Sequence, residues 1–136
     1  MKYLADTHIL IWALEDNPQL SEKARNIILD EQSDIYFSFP NIWEVAIKHA
    51  LQKEDIPFSA KDFEKLCDGA GFLPLRTTFE HAYIVETLQY DRESAPRDHR
   101  DPFDRLLIAQ AKTENMLFLT HDELVPYYHE ECVLSV

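Results

Sequence analysis

Short apolar runs alternate with longer segments of helical periodicity along the whole chain. The apolar runs are bounded by turn-forming residues and predict strands at 2–5, 35–38, 72–75 and 116–120, with CVLSV at 132–136 as a short final strand. Helices are expected near 8–15, 21–31, 41–51, 60–68, 78–89 and 103–114. This alternation is typical of an α/β domain built on a mostly parallel sheet of four or five strands.

Chain length and cysteine usage limit the class of protein. A chain of 136 residues with 46% hydrophobic content is expected to form one domain, residues 1–136. Cys67 and Cys132 lie far apart with no Cys/His cluster, which argues against a disulfide scaffold or structural zinc. The apolar N-terminus is interrupted by Asp6 and His8 and has no small-residue cleavage site. We therefore expect a cytoplasmic protein with no membrane association.

The charge balance and the scarcity of glycine restrict how the chain can handle phosphate. The net charge of −12 opposes non-specific attraction to a polyphosphate, but the excess of carboxylates suits a hard divalent cation. Gly69 and Gly71 are the only glycines, which excludes both a Walker A loop and a GxGxxG dinucleotide turn. Any phosphate must be bound without a glycine-rich cradle.

Four carboxylates are expected at one edge of the predicted sheet. Asp6 directly follows the first strand, and Asp122 follows the strand that ends in FLT. Glu44 and Asp104 lie near the starts of predicted helices, which share that edge in a parallel α/β sheet. Carboxylates that converge raise one another's pKa, and a divalent cation relieves this repulsion. A cation held in this way favours phosphodiester hydrolysis by activating water and polarising a phosphoryl oxygen.

Each acid also has a purely structural explanation. An aspartate that follows a strand often forms a turn or caps the next helix. Glu44 and Lys48 are spaced as an ordinary i,i+4 ion pair, and Asp101 is well explained as a helix N-cap. Asp104 is different because it leads into an apolar helical face that continues through Ile108. Capping explains why Asp104 lies in the first turn but not the direction in which it points.

Histidines and tryptophans are less specific signals. His8, His99 and His121 each lie within a few residues of a candidate acid and can support a metal ligand or contact substrate. No HxxxH or HEH spacing is present, so zinc ligation is not expected. Trp12 and Trp43 are expected to fill the core or a subunit interface rather than to stack on bases.

Four stretches together resemble a known family. YLADTHILIWAL, NIWEVAIK, HRDPFDRLLIAQA and FLTHDE occur in this order over nearly the whole chain. With these spacings the chain resembles the PIN-domain ribonucleases that act as VapC-type toxins of type II toxin–antitoxin systems. The resemblance implies a three-layer α/β/α sandwich. It also implies that the catalytic metal ligands are Asp6, Glu44, Asp104 and Asp122.

The resemblance further implies an activity and its partners. These are endonucleolytic RNA cleavage by water with Mg²⁺ or Mn²⁺, a homodimer, and a cognate antitoxin whose C-terminal segment blocks the acidic groove. Thr7 and Asp101 are additional candidates beside the metal ligands, since Thr7 follows the first acid and Asp101 belongs to the HRDPFDR motif. Candidates for contacting substrate phosphate are Lys48, Arg100 and Arg105.

Two other functions remain open at this point. In the first, Asp6 is the nucleophile of a phosphatase or phosphotransfer domain and forms an aspartyl-phosphate. This is weakened because the position two residues after Asp6 holds His8 rather than a second aspartate. In the second, the chain is a catalytically silent PIN-like module that binds RNA or protein. That is disfavoured because all four acids are present.

Overall fold

A computed structural model describes residues 1–136 and contains one five-stranded sheet with helices on both faces. The strands are β1 Lys2–Ala5, β2 Asp34–Ser38, β3 Leu73–Leu75, β4 Leu117–Thr120 and β5 Val133–Ser135. The helices are α1 Thr7–Glu15, α2 Glu22–Leu29, α3 Phe39–Ala50, α4 Ala60–Gly69, α5 Phe79–Val85 and α6 Pro102–Thr113, with a 3₁₀ helix at Val125–Tyr128. The predicted α/β class is confirmed. None of the helices combines the length and apolar character needed to cross a bilayer.

All neighbouring strands pair in parallel, in the order β3-β2-β1-β4-β5. β1 lies between β2, the next strand along the chain, and β4, which comes later in the chain. The strand order therefore reverses between β1 and β4, and ligands of open α/β sheets bind in the crevice at the carboxyl ends of such strands. In this chain that crevice lies beside Asp6 and Asp122, which follow the two strands.

Alternate residues of the central strands bury opposite faces of the sheet. Tyr3 and Ala5 pack with residues of α1 to α4 in one core cluster, while Leu4 packs with residues of α6 and the 3₁₀ helix in the other. In β4, Leu119 likewise packs in the first cluster and Phe118 in the second. This alternation is the period of two that a strand imposes on its side chains. The result is the three-layer α/β/α arrangement that the resemblance implies.

One predicted helix is shorter than expected. The sequence predicts a helix over 78–89, but α5 ends at Val85 and is followed by tight turns. The Thr87 hydroxyl donates to the Ile84 carbonyl at 2.7 Å, and the Arg105 guanidinium donates to the Val85 carbonyl at 3.4 Å. These donors satisfy carbonyls that a continuing helix would otherwise pair, so the helix can end early. The 3₁₀ helix after β4 was not predicted.

Candidate functional site

A cleft of about 490 Å³ lies at the carboxyl edge of the sheet where the strand order reverses. All four predicted acids line this cleft, although they come from four separate stretches of the chain. Three further candidates from the sequence also line the cleft: Thr7, Asp101 and the predicted phosphate-contacting residue Lys48. The parallel topology thus brings most of the candidate residues together.

Asp6 is held rigidly at the end of β1. Its Oδ1 accepts the Ile9 amide at 2.9 Å as the N-cap of α1, and its Oδ2 accepts the His121 amide at 3.2 Å. Burial raises the pKa of the Asp6 carboxyl above its ordinary value, and these backbone amides oppose that effect. Each carboxylate oxygen keeps a lone pair that can still be offered to the cleft.

Glu44 lies near the middle of α3 and is buried between a hydroxyl and an ammonium group. The Thr7 hydroxyl donates to Glu44 Oε1 at 2.5 Å, and Lys48 Nζ donates to Oε2 at 2.6 Å. The i,i+4 pair expected from the sequence therefore forms, but inside the cleft rather than on an open surface. Burial lowers the pKa of Lys48, whereas its bond to Glu44 and the nearby acids raise it, with a net rise that keeps the ammonium charged.

Asn41 connects the elements that carry Asp6 and Glu44. It is fully buried, and its Nδ2 donates to the Ala5 carbonyl and to the Thr7 hydroxyl oxygen, both at 3.2 Å. Its Oδ1 accepts the Ser38 amide at 2.8 Å as part of a capping box at the start of α3. Asn41 was not among the residues predicted for the site. The spacing of Ser38 and Asn41 was the available signal, because a capping box joins residues three apart.

The two acids at the start of α6 have different roles in the structure. Asp101 Oδ1 accepts the amides of Phe103 at 2.9 Å and Asp104 at 3.1 Å, as predicted for an N-cap. Asp104 is buried, with Oδ2 3.3 Å from His99 Nε2. Burial raises the pKa of Asp104 to about 7, the charges of Asp101 and Asp6 add to the rise, and the contact with His99 opposes it.

His99 is the histidine that contacts the acids. Its Nδ1 lies 2.7 Å from the Tyr128 hydroxyl, and its Nε2 lies 3.3 Å from Asp104 Oδ2 and 3.7 Å from Asp122 Oδ2. Donation from the Tyr128 hydroxyl to Nδ1 leaves the Nε2 proton for the two carboxylates. One ligand-type atom each from His99, Asp104 and Asp122 lies within 4.8 Å of the others. His99 therefore orients Asp104 and lies beside Asp122.

The charge and chemistry of the cleft fit a hard divalent cation. Six acids line it against two Lys or Arg side chains, Lys48 and Arg97, so the cleft keeps a net negative charge. Burial is the main cause of the raised pKa values of Asp6 and Asp104, and for Asp104 the charges of Asp101 and Asp6 add to it. Carboxylate oxygens are the ligands that Mg²⁺ and Mn²⁺ prefer. The donor set therefore suits either ion.

The predicted arginines do not line the cleft. Arg100 is largely exposed and lies 3.6 Å from Asp98, while Arg105 reaches the end of α5. Arg105 follows Asp104 directly, and successive helical residues point in different directions. Arg97, which was not predicted, lines the cleft and pairs with Glu123 at 2.8 Å. It lies in an irregular loop without periodicity, so the sequence carries no signal for its direction.

Comparison with known proteins gives matches in fold and family. VapBC2 from Rickettsia felis, in a crystal structure with a DNA fragment from its promoter, matches with a TM-score of 0.66 at 15% identity, covering 100% of this chain and 98% of that chain. VapBC-1 from nontypeable Haemophilus influenzae matches with a TM-score of 0.62 at 20% identity, covering 95% and 91%. A toxin–antitoxin complex from Klebsiella pneumoniae matches with a TM-score of 0.61 at 16% identity, covering 97% and 95%.

No curated protein sequence matches the chain. The family model of the PIN domain, however, matches residues 3–126, which include the four predicted acids and nearly every element of the sheet. The chain therefore belongs to the PIN domain family.

Proposed function

We propose that residues 1–136 form a single nuclease domain, a cytoplasmic endoribonuclease that depends on Mg²⁺ or Mn²⁺ and hydrolyses RNA phosphodiesters with water. The observation that carries this proposal is the convergence of Asp6, Glu44, Asp104 and Asp122 on one cleft. Membership of the PIN domain family supports it. A structural explanation that accounts for each acid singly does not account for all four lining the same cleft.

The proposal gives each group in the cleft a role. The four acids would hold the cation, which when bound neutralises phosphate charge and lowers the pKa of water. The Thr7 hydroxyl fixes one oxygen of Glu44, and His99 fixes the orientation of Asp104. Lys48 and Arg97 are positioned to attract substrate phosphate, which helps RNA to bind despite the net charge of −12.

The geometry favours this function over the two alternatives. Both oxygens of Asp6 accept backbone amides, which lowers the nucleophilicity that an aspartyl-phosphate mechanism requires. A silent binding module would have no need to bury Asp6, Glu44 and Asp104 against the cost of their desolvation.

Cleavage of RNA in the presence and absence of divalent cations tests this function. Purified protein incubated with total RNA should cleave it with Mg²⁺ or Mn²⁺, because the six acids of the cleft outnumber Lys48 and Arg97 and a bound cation would offset their repulsion of a phosphodiester. EDTA should stop cleavage, and excess Mn²⁺ should restore it. Cleavage that continues unchanged in EDTA, or no cleavage of any RNA with either cation, would contradict the proposal.

The proposal includes a homodimer. Exposed aromatic residues lie one turn apart on α3, where Phe39 is 56% and Trp43 45% exposed, and on α5, where Phe79 is 82% and Tyr83 64% exposed. Exposed aromatic rings in such number indicate a protein interface. A second copy of the chain would cover them.

The proposal also includes an antitoxin, so that this chain is the toxin of a toxin–antitoxin pair. Two of the structurally similar proteins are named as VapBC assemblies and a third as a toxin–antitoxin complex. The acidic cleft suits a basic C-terminal segment of such a partner, which would compete with the metal and RNA.

Light scattering tests the dimer and the partner together. The chain alone should give twice its mass of 16.0 kDa, and co-expression with the product of an adjacent reading frame should give a larger complex. A monomer that acquires no partner would contradict both proposals.

A further inference from the structure

Three rings form one wall of the cleft, and we call them the aromatic wall: His8, Trp12 and His121. Trp12 is the single apolar residue among the twelve that line the cleft. Its ring centroid lies 5.8 Å from that of His8 and 5.2 Å from that of His121, the second pair meeting edge to face at 78°. Trp12 was expected to fill the core or a subunit interface; it does pack against the larger core cluster, and it also lines the cleft.

The aromatic wall is attached firmly to the acidic site. Trp12 lies on α1, the helix that Asp6 caps. The Trp12 side chain packs against the larger core cluster. The backbone amide of His121 donates to Asp6, and the His8 ring is held by Asp55 at 2.8 Å. The rings are therefore fixed relative to the carboxylate that would bind metal.

We propose that the aromatic wall binds an unpaired nucleobase next to the scissile phosphate, with Trp12 as the stacking residue. This inference rests on the proposed ribonuclease function and deepens it by naming the side chain against which a base of the RNA would lie. A base in a duplex has both faces covered by its neighbours, so only an unstacked base can lie against a ring in the cleft. Stacking is tolerant of sequence, because every base has an aromatic face.

The surroundings favour a base over an apolar peptide side chain. A peptide side chain would need several apolar neighbours, whereas every other residue lining the cleft is charged, a histidine or a threonine. A nucleobase satisfies such surroundings better, because it presents an apolar face to Trp12 and polar edges to His8 and His121. Lys48 and Arg97 in the same cleft supply positive charge for the attached phosphates.

Two variants separate stacking from packing in a cleavage assay. Trp12→Phe keeps an aromatic face, whereas Trp12→Leu keeps an apolar side chain that can still pack on the core. Loss of one stacked base should raise the KM of Trp12→Leu for single-stranded RNA by about 10- to 100-fold, with little change in kcat. The KM of Trp12→Phe should be close to that of the wild type. An equal KM for all three proteins would overturn the inference while leaving the ribonuclease function standing.

Tryptophan fluorescence tests base binding without cleavage. The chain has two tryptophans, so Trp43→Phe leaves Trp12 as the sole emitter and Trp12→Phe leaves Trp43 as the control. With Asp104→Asn added to prevent cleavage, a single-stranded RNA hexamer should quench Trp12 but not Trp43. An abasic hexamer or an RNA duplex should quench Trp12 far less.

The outcomes distinguish the inference from the function on which it rests. Equal quenching by the abasic and normal hexamers, or quenching by a protein partner's peptide but by no RNA, would overturn base stacking. Trp12 quenching by normal RNA together with a wild-type protein that never cleaves would support base binding and contradict the ribonuclease function.

Discussion

Replacing Asp104 with asparagine is expected to reduce RNA cleavage by at least about 100-fold, since even residues that only support metal ligands contribute about 10- to 100-fold. Asp104 is buried in the cleft, shares His99 with Asp122, and points away from the solvent side of α6. Asparagine has nearly the same shape but cannot carry the negative charge that the cation requires. The measurement is the initial rate of cleavage of a labelled RNA at saturating Mn²⁺.

The chain supplies a matched control in Asp62. Asp62 is the third residue after the N-cap Ser59 of α4, as Asp104 is the third residue after the N-cap Asp101 of α6, but Asp62 is exposed. Asp62→Asn removes the same charge from the same position of a helix and should leave the cleavage rate close to that of the wild type. Equal losses in the two variants, or full activity in Asp104→Asn, would contradict the role of Asp104 as a metal ligand.

The metal-free protein is expected to lose stability as the pH rises from about 4 to about 7. Burial raises the pKa of Asp104 from 3.8 to about 7, so in this window the folded state binds a proton that the unfolded state has released. The free energy of unfolding therefore falls with rising pH, by at most about 4 kcal/mol from this group. The stabilisation from Asp104 is complete below its unfolded-state pKa of 3.8 and is lost above its folded-state pKa of about 7.

Urea unfolding in EDTA at several pH values measures this effect. Asp104→Asn has no proton to lose, so the difference in the free energy of unfolding between the variant and the wild type should grow from pH 4 to pH 7 in favour of the variant. At pH 8, Mn²⁺ should restore the stability of the wild type by binding the ionised site. It should stabilise the variant much less. A difference that does not change with pH would show that Asp104 is not destabilised by burial.

The sequence predicts the strands and the acidic edge well, for identifiable reasons. Strands buried on both faces are short continuous apolar runs, and the observed strands begin and end within one residue of the predicted ones. Asp6 and Asp122 directly follow two such strands, so the parallel topology alone brings them to one edge. The residue type, the strand pattern and the shared edge were sufficient for these predictions.

The supporting contacts were not predictable, because they join residues far apart in the chain. Asn41 reaches the hydroxyl of Thr7, 34 residues away, and His99 reaches that of Tyr128, 29 residues away. Arg105 likewise reaches the Val85 carbonyl, 20 residues away, at the end of α5. Trp12 is ambiguous in any sequence, since one ring can fill a core and also line a cleft.

The chemical nature of the cleaved ends tests the central claim most directly. Wild-type protein and Asp104→Asn would be incubated with one labelled RNA in Mn²⁺ or EDTA, and the products would be identified by mass spectrometry. If the acids of the cleft hold a cation that activates water, wild-type protein with Mn²⁺ should release fragments with acyclic phosphate ends, and neither the variant nor EDTA should release any. Fragments that end in a 2′,3′-cyclic phosphate and form equally in EDTA would mean that the RNA's own hydroxyl attacks without metal, which would contradict the account.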